Sequence, residues 1–187
     1  ELDATLSARD LLDRAPELAW LKPHVDGRSP WTVGIAVPRT ASGRAAPTLL
    51  HLRSNLVGTA LDLPAPLRKP AAAALPTTVE TPWPLGNGEV RVAFGNLLAL
   101  RARNAAGRTG VRVQLGAARV DEAPPAAGLA VAGRTPRLDA VEWLTLTRGG
   151  EGTSEGLALQ RIDVVAERLH LLGGVFPDTR LLATPAA

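Results

Sequence analysis

The 187-residue chain has no cysteine, methionine or tyrosine, and only two phenylalanines, four tryptophans and three histidines. Each shortage removes a class of function. Without cysteine there is no disulfide framework, thiolate nucleophile or cysteine-based zinc site; either redox compartment is compatible with that. Aromatic residues make up 3% of the chain, so stacking platforms for bases or sugars are scarce and Leu, Val and Ala must build the core. The net charge is +3, and Lys22 and Lys69 are the only lysines. The arginines stand singly (Arg53, Arg91, Arg101, Arg103, Arg112, Arg119), whereas a nucleic-acid footprint clusters them beside aromatics. Nucleic acid is therefore not an expected partner. No stretch approaches 18 consecutive apolar residues, so nothing reads as a membrane-crossing helix. The missing initiator methionine suggests an excised piece of a longer polypeptide or a chain freed of its leader.

What is present reads as globular: 45% of residues are hydrophobic and 21% charged, enough for one domain with a real core. Ser7 followed by Asp10 fits a capping box, and Leu11, Leu12, Ala15, Leu18 and Leu21 recur at helical spacing. Pro16 should split this region, and Pro23 and Gly27 end it. The period then becomes two: Trp31, Val33, Ile35 and Val37; Leu50, Leu52 and Leu56; Val90, Val92 and Phe94; Leu98 and Leu100; Val111, Val113 and Leu115; Leu129 and Val131. His51, Arg53, Arg101, Arg103, Arg112 and Gln114 occupy the alternate positions, as in a half-buried antiparallel sheet. Turn signals separate the runs at 41–44, 86–88, 104–110 and Pro124-Pro125. LDAVEWLTL (138–146) predicts a short helix capped by Asp139. Leu157 to Leu172 predicts one long strand whose alternation slips between Ile162, Val164 and Leu169, Leu171, as a β-bulge near Ala166–Arg168 would cause. A last strand is expected around Thr179–Ala183. The expected fold is mainly β with short helices: a helical segment over 1–28, an antiparallel β section over 29–146, and a loop with further strands over 147–187.

No motif carries chemistry. Gly152-Thr153-Ser154-Glu155-Gly156 matches G-x-S-x-G, but a nucleophile elbow needs a strand before it and a helix after it; here a polar glycine loop precedes and LALQRIDVV follows. His24, His51 and His170 lie far apart, with no metal-ligand spacing. Asp121-Glu122 are adjacent at a strand end, and Gly107-Arg108-Thr109-Gly110 reads as a hairpin turn without RNA-binding aromatics. No enzymatic activity, metal or cofactor is expected. The apolar face remains.

The stretch NLVGTALDLPAPLRKP (55–70) carries a resemblance. A strand ending in Ser54, Leu56, Gly58, Leu63-Pro64, Pro66-Leu67 and Lys69-Pro70 resembles the YhdP family, a branch of the AsmA-like proteins of the Gram-negative envelope. GRTPRLDAVEWL (133–144) and IDVVAERLHLLGGVF (162–176) look like later segments of the same region. The resemblance implies a periplasmic section of a long, inner-membrane-anchored, bridge-like lipid-transfer protein. Its strongly twisted sheet would curl into an open groove for phospholipid acyl chains passing toward the outer membrane, with adjacent sections of the same chain as partners. The candidate lining is then Val33, Ile35, Val37, Leu50, Leu52, Leu56, Val90, Val92, Phe94, Leu98, Leu100, Val111, Val113, Leu115, Leu129, Val131, Ile162 and Val164. The prolines would carry the chain across a groove edge, with Arg68 and Lys69 at the rim facing water or a lipid phosphate. Alternation alone fits equally a sandwich whose inner faces pack on each other, or an envelope module that pairs with neighbours through its sheet edges.

Overall fold

In ELDATLS, Leu2, Ala4 and Leu6 alternate as the later strands do, and the chain starts in a strand where a helical segment is expected. The computed structural model describes residues 2–14, 21–36, 48–84, 88–147 and 157–185. Strand β1 (Leu2–Ser7) pairs antiparallel with β2 (Val25–Ala36). Between them lies helix α1 (Ala8–Asp13), whose first turn is capped by Ser7, the Oγ accepting from the Asp10 backbone N–H at 3.5 Å. The cap is where the sequence puts it, but the helix is six residues long, followed by a tight 3₁₀ turn at 21–24. The break expected at Pro16 lies outside the described residues, as do Val37, the turn at 41–44 and the glycine loop with Gly152–Gly156.

The chain continues through β3 (Leu49–Ser54), β4 (Thr59–Leu61), β5 (Thr77–Pro82), β6 (Glu89–Phe94), β7 (Leu98–Ala105), β8 (Arg108–Leu115), β9 (Gly128–Asp139), helix α2 (Ala140–Thr147), β10 (Leu159–Leu171) and β11 (Gly174–Ala183). These strands form one open, twisted sheet in the order β1-β2-β3-β5-β6-β7-β8-β9-β10-β11, with β4 paired to β2 off this path. The fold is mainly β with short helices, as expected. The sheet is mixed rather than purely antiparallel, because β9 runs parallel to both β8 and β10. Alternation is blind to strand direction, and connection length only limits it. Parallel neighbours need a crossover of about a dozen residues or more, and the 116–127 connection and the α2 connection provide it.

The slip in β10 is real but is not a bulge near Ala166–Arg168. Register is constant on both sides of Glu167, against β9 and against β11, and the register shift in β10 falls between Leu159 and Arg161. Glu167 stands between Pro136, which has no N–H to donate, and Asp178, whose φ is +45°. Thr135 and Ala166 are buried, the next two residues of each strand are exposed, and Leu138 and Leu169 are buried. Neighbouring strands change face together, so pairing survives.

One contiguous core cluster joins the sheet to its cover. It includes Leu12 of α1, Leu21, Leu56, Leu61, Leu63, Leu67 and Leu75 from the first half, sheet residues from Leu52 to Leu169, and Ala140 of α2. Where β4 crosses β2, Gly27 and Gly58 adopt φ of +109° and +97°. A Cβ on Gly27 would strike the Gly58 carbonyl oxygen, and one on Gly58 the Arg28 carbonyl oxygen, so this backbone approach requires glycine.

Candidate functional site

The apolar positions of the strands meet in register. Leu2, Val33, Leu52, Val79, Val92, Leu100, Val113, Val131, Ile162 and Ala183 are successive cross-strand partners. They form a continuous aliphatic row from the β1 edge to the β11 edge, crossing ten strands. At about 4.8 Å per strand the row is about 40 Å long. A second row alongside it runs through Thr77, Phe94, Leu98, Leu115, Gly133, Val164 and Leu181.

Residues 55–75 cover the middle of these rows. This excursion leaves β3 and returns to β5, zipped by Leu75 N–H to Asn55 O (2.7 Å), Gly58 N–H to Ala71 O (2.8 Å) and mutual backbone bonds between Leu61 and Lys69. Its tip reaches α2: Trp143 Nε1–H donates to Ala65 O at 2.8 Å, and Arg68 pairs with Glu142 at 3.0 Å. α2 joins β9 to β10, so the excursion reaches from β3 to the far part of the sheet, and its leucines share one buried cluster with residues of β6, β7 and β8. Leu63 and Leu67 of the excursion are buried, as are Leu100 and Val113 on the sheet.

The proline segment therefore does not cross an exposed edge, and Lys69 is not a rim residue. Lys69 is 5% exposed; its Nζ donates to Thr59 O (2.6 Å) and Pro70 O (3.0 Å). Burial holds its ammonium below the ordinary lysine range. A lysine at the end of a proline run reads as solvated; here two hydrogen bonds from its ammonium close the turn that the prolines cannot close themselves. Arg68 is exposed, but it is occupied by Glu142.

Beyond the roof, a cavity of about 160 Å³ lies between α1 and the sheet. Ala8, Leu11 and Leu12 bound it on one side, and Trp31, Leu52, Val79, Val92 and Phe94 on the other. Arg14, which caps the C-terminus of α1, is the only exposed residue of the lining among the described residues. Trp31 is buried, yet its Nε1–H has no hydrogen-bond partner among the described residues. A buried donor left unpaired costs about 1–3 kcal/mol.

The opposite face is ion-paired. Arg91, Arg101 and Arg112 are cross-strand neighbours on it, a proximity that single spacing in sequence conceals. Each is answered: Arg91 by Glu80 and Glu89, Arg101 by Glu89 at 2.7 Å, and Arg112 by Glu122 at 2.9 Å. Burial pushes the Glu89 carboxyl up, but hydrogen bonds from Arg101 and Arg91, with their charge, outweigh it and hold the carboxyl below its usual range. His51 Nδ1 lies 3.2 Å from Glu80, and His170 Nδ1 lies 3.8 Å from Asp139. Among the described residues no group of three or more His, Asp or Glu could hold a metal ion.

Of the candidate lining, Leu52, Leu56, Val90, Val92, Phe94, Leu98, Leu100, Val111, Val113, Leu115, Leu129, Ile162 and Val164 are buried in the common cluster, with Val33, Leu50 and Val131 packed against it. Ile35 stands apart at 69% exposure, near Leu2 at 67%. The sequence reading missed β5, and with it Thr77, Val79 and Thr81. The signal was there: threonine is β-branched and alternates with apolar residues in strands. It also missed Leu2, whose alternation with Ala4 and Leu6 is plain, and Leu12 and Leu21 as the cover.

A family model described as YhdP protein matches residues 1–187, the whole chain. No curated protein and no solved structure matches.

Proposed function

The chain belongs to the YhdP family, and from that premise we propose that it is one periplasmic section of a bridge-like lipid-transfer protein, offering phospholipid acyl chains an apolar path between inner and outer membrane. The aliphatic row that runs from one sheet edge to the other carries this reading. Each methylene removed from water on it is worth about 0.8 kcal/mol. A row without fixed polar partners holds a chain at any register, which suits sliding. No bond is made or broken, so the role is not enzymatic. The full-length protein is anchored in the inner membrane, and adjacent sections of the same chain continue the path.

The roof modifies this picture. Leu100 and Val113 are buried in one cluster with leucines of residues 55–75, so an acyl chain reaches the row from its ends and from the cavity under α1. Passage through the middle requires the roof tip to leave α2. Photo-crosslinking residues at Leu52, Val92 and Val113, paired with Arg53, Arg91 and Arg112 on the opposite face, test the proposal in cells with radiolabelled phospholipid. Label is expected at Leu52 and Val92 and absent from the arginine positions; label at Val113 reports opening of the roof. If neither face is labelled while positions elsewhere in the full-length protein are, this section is a packed structural domain.

A second reading, an envelope module that pairs with neighbours through its sheet edges, is favoured by the free outer edges of β1 and β11 in the described sheet. Under it, edge substitutions alter assembly and leave lipid labelling unchanged.

A further inference from the structure

On the polar face of the sheet, Arg91, Arg101 and Arg112 each meet a carboxylate, but Arg53 of β3 meets none among the described residues. Its cross-strand neighbours are Thr32 of β2 and Thr78 of β5, and it is exposed. Asp3 of β1 continues the same row, opposite Thr32. Thr32 Oγ1–H donates to Asp3 Oδ1 at 2.7 Å, which steadies that carboxylate and leaves its second oxygen to accept elsewhere. Two strand spacings, about 10 Å, separate the two backbones, and no ion pair joins Asp3 to Arg53. Both residues line a cavity of about 550 Å³, within the size range of small-molecule sites. Asn55 lies on its wall; its Oδ1 accepts from the Val57 N–H at 3.0 Å, so its amide nitrogen keeps two donors to offer. Ser54 Oγ is already engaged by Pro30 O and the Leu56 N–H.

We propose that this cavity binds a phosphoethanolamine group, with its phosphate on Arg53 and the Asn55 amide and its ammonium on Asp3. As the headgroup of a phospholipid this ligand rests on the lipid reading above; as a free phosphoammonium compound it does not. Charge selects the class. A lone phosphate on Arg53 would face the Asp3 carboxylate across the same cavity, and a lone cation on Asp3 would face Arg53. A sugar would find no ring to stack on, since Trp31 is 6% exposed. A zwitterion with its charges a few bonds apart meets both groups at once, and the guanidinium suits a phosphate in particular. The position suits a headgroup too. Asp3 adjoins Leu2, where the aliphatic row ends at the free β1 edge. Acyl chains on that end of the row bring the glycerol to the edge, and β1 alone then separates it from the cavity.

The test uses the full chain, and its first readout needs no variant. Phosphoethanolamine added to isotope-labelled wild type should move the Arg53 Nε–H, the Asn55 side-chain amide and the Asp3 backbone resonances. Inorganic phosphate should move only the first two and bind about tenfold more weakly. Arg53→Gln should weaken phosphoethanolamine binding about tenfold or more. Asp3→Asn should weaken it about tenfold, while phosphate binds no more weakly than to wild type. Asp3 and Arg53 are exposed, so both variants keep the fold. Phosphate binding as tightly as phosphoethanolamine, or no effect of Asp3→Asn, overturns the zwitterion assignment; resonances that all stay in place overturn the site. Flotation with phosphatidylcholine vesicles, with or without phosphatidylethanolamine, separates the two sources. Flotation that needs phosphatidylethanolamine and is lost in both variants assigns a lipid headgroup. Shifts with the soluble group but no flotation assign a free phosphoammonium compound. Lipid label at Leu52 and Val92 without shifts here removes the site and leaves the lipid reading standing; shifts here without that label do the reverse.

Discussion

Glu89 and Gly58 each act through a partner on another strand, Arg101 and Arg28. Glu89 sits at the start of β6, with Arg101 at 2.7 Å and Arg91 at 3.2 Å, and its carboxyl is held below the usual range. A group whose folded value is lower than its unfolded value binds fewer protons in the native state as pH falls. Its stabilisation is complete above the unfolded value of 4.5 and disappears as pH drops through the folded one. Glu89→Gln should therefore cost about 1–2 kcal/mol at pH 7, and urea melts should show wild type and variant converging below pH 4.5. Gly58 poses a steric question instead. At φ +97°, with the Arg28 carbonyl where its Cβ would stand, Gly58→Ala should lose at least about 2 kcal/mol. The same denaturation measurement checks it. Gly58 is visible in the sequence as part of the L-x-G of the proline stretch, but its reason is not, because the reason is a strand thirty positions earlier.

Elements divide in the same way. The β10–β11 turn is Leu172-Gly173, with φ of +50° and +81°, closing a register in which Leu171 faces Gly174. A two-residue turn with both central residues at positive φ is the I′ type, which favours Asn-Gly. Leucine bears strain there, and its side chain is 88% exposed. Leu172→Asn should raise stability by about 0.5–1 kcal/mol and the melting temperature with it; an unchanged or lower midpoint would mean that the exposed leucine packs on something. The long strand before this turn and the Thr179–Ala183 part of the strand after it were legible, because period-two alternation is local. So were the Ser7 cap and the short helix at 140–147. Strand direction was not legible, since β9 alternates identically whichever way it runs. The roof was not legible either: a proline-rich stretch with two basic residues reads as a solvated loop, and only the distant Trp143 and Glu142 show where it lies. Lys69 is the sharpest case. Its charge suggested a rim, while its position beside three prolines left it as the donor that satisfies the carbonyls of Thr59 and Pro70.

At the scale of the molecule, the sheet is open at β1 and β11, and the two edges differ. β1 is short and carries Asp3, Thr5 and Ser7. β11 is ten residues long and exposes Val175, Phe176 and Leu182. A long edge strand with exposed apolar side chains is a template for another strand unless charge or a bend blunts it. Pro177 and the irregularity at Asp178 blunt the middle of β11, leaving Thr179–Ala183 as the regular stretch, and the aliphatic row ends there at Ala183. A strand added on that side would lengthen both the sheet and the row. Replacing Val175, Phe176 and Leu182 together by lysine puts three charges along this edge without touching a buried residue. Surface changes of this kind are usually worth less than about 0.5 kcal/mol each, so the melting midpoint should hardly move. Sedimentation velocity should then show the wild-type chain associating in a concentration-dependent way and the triple variant remaining monomeric. If the two sediment identically while both stay folded, β11 is not a pairing edge, and continuity of the row beyond this chain needs another junction.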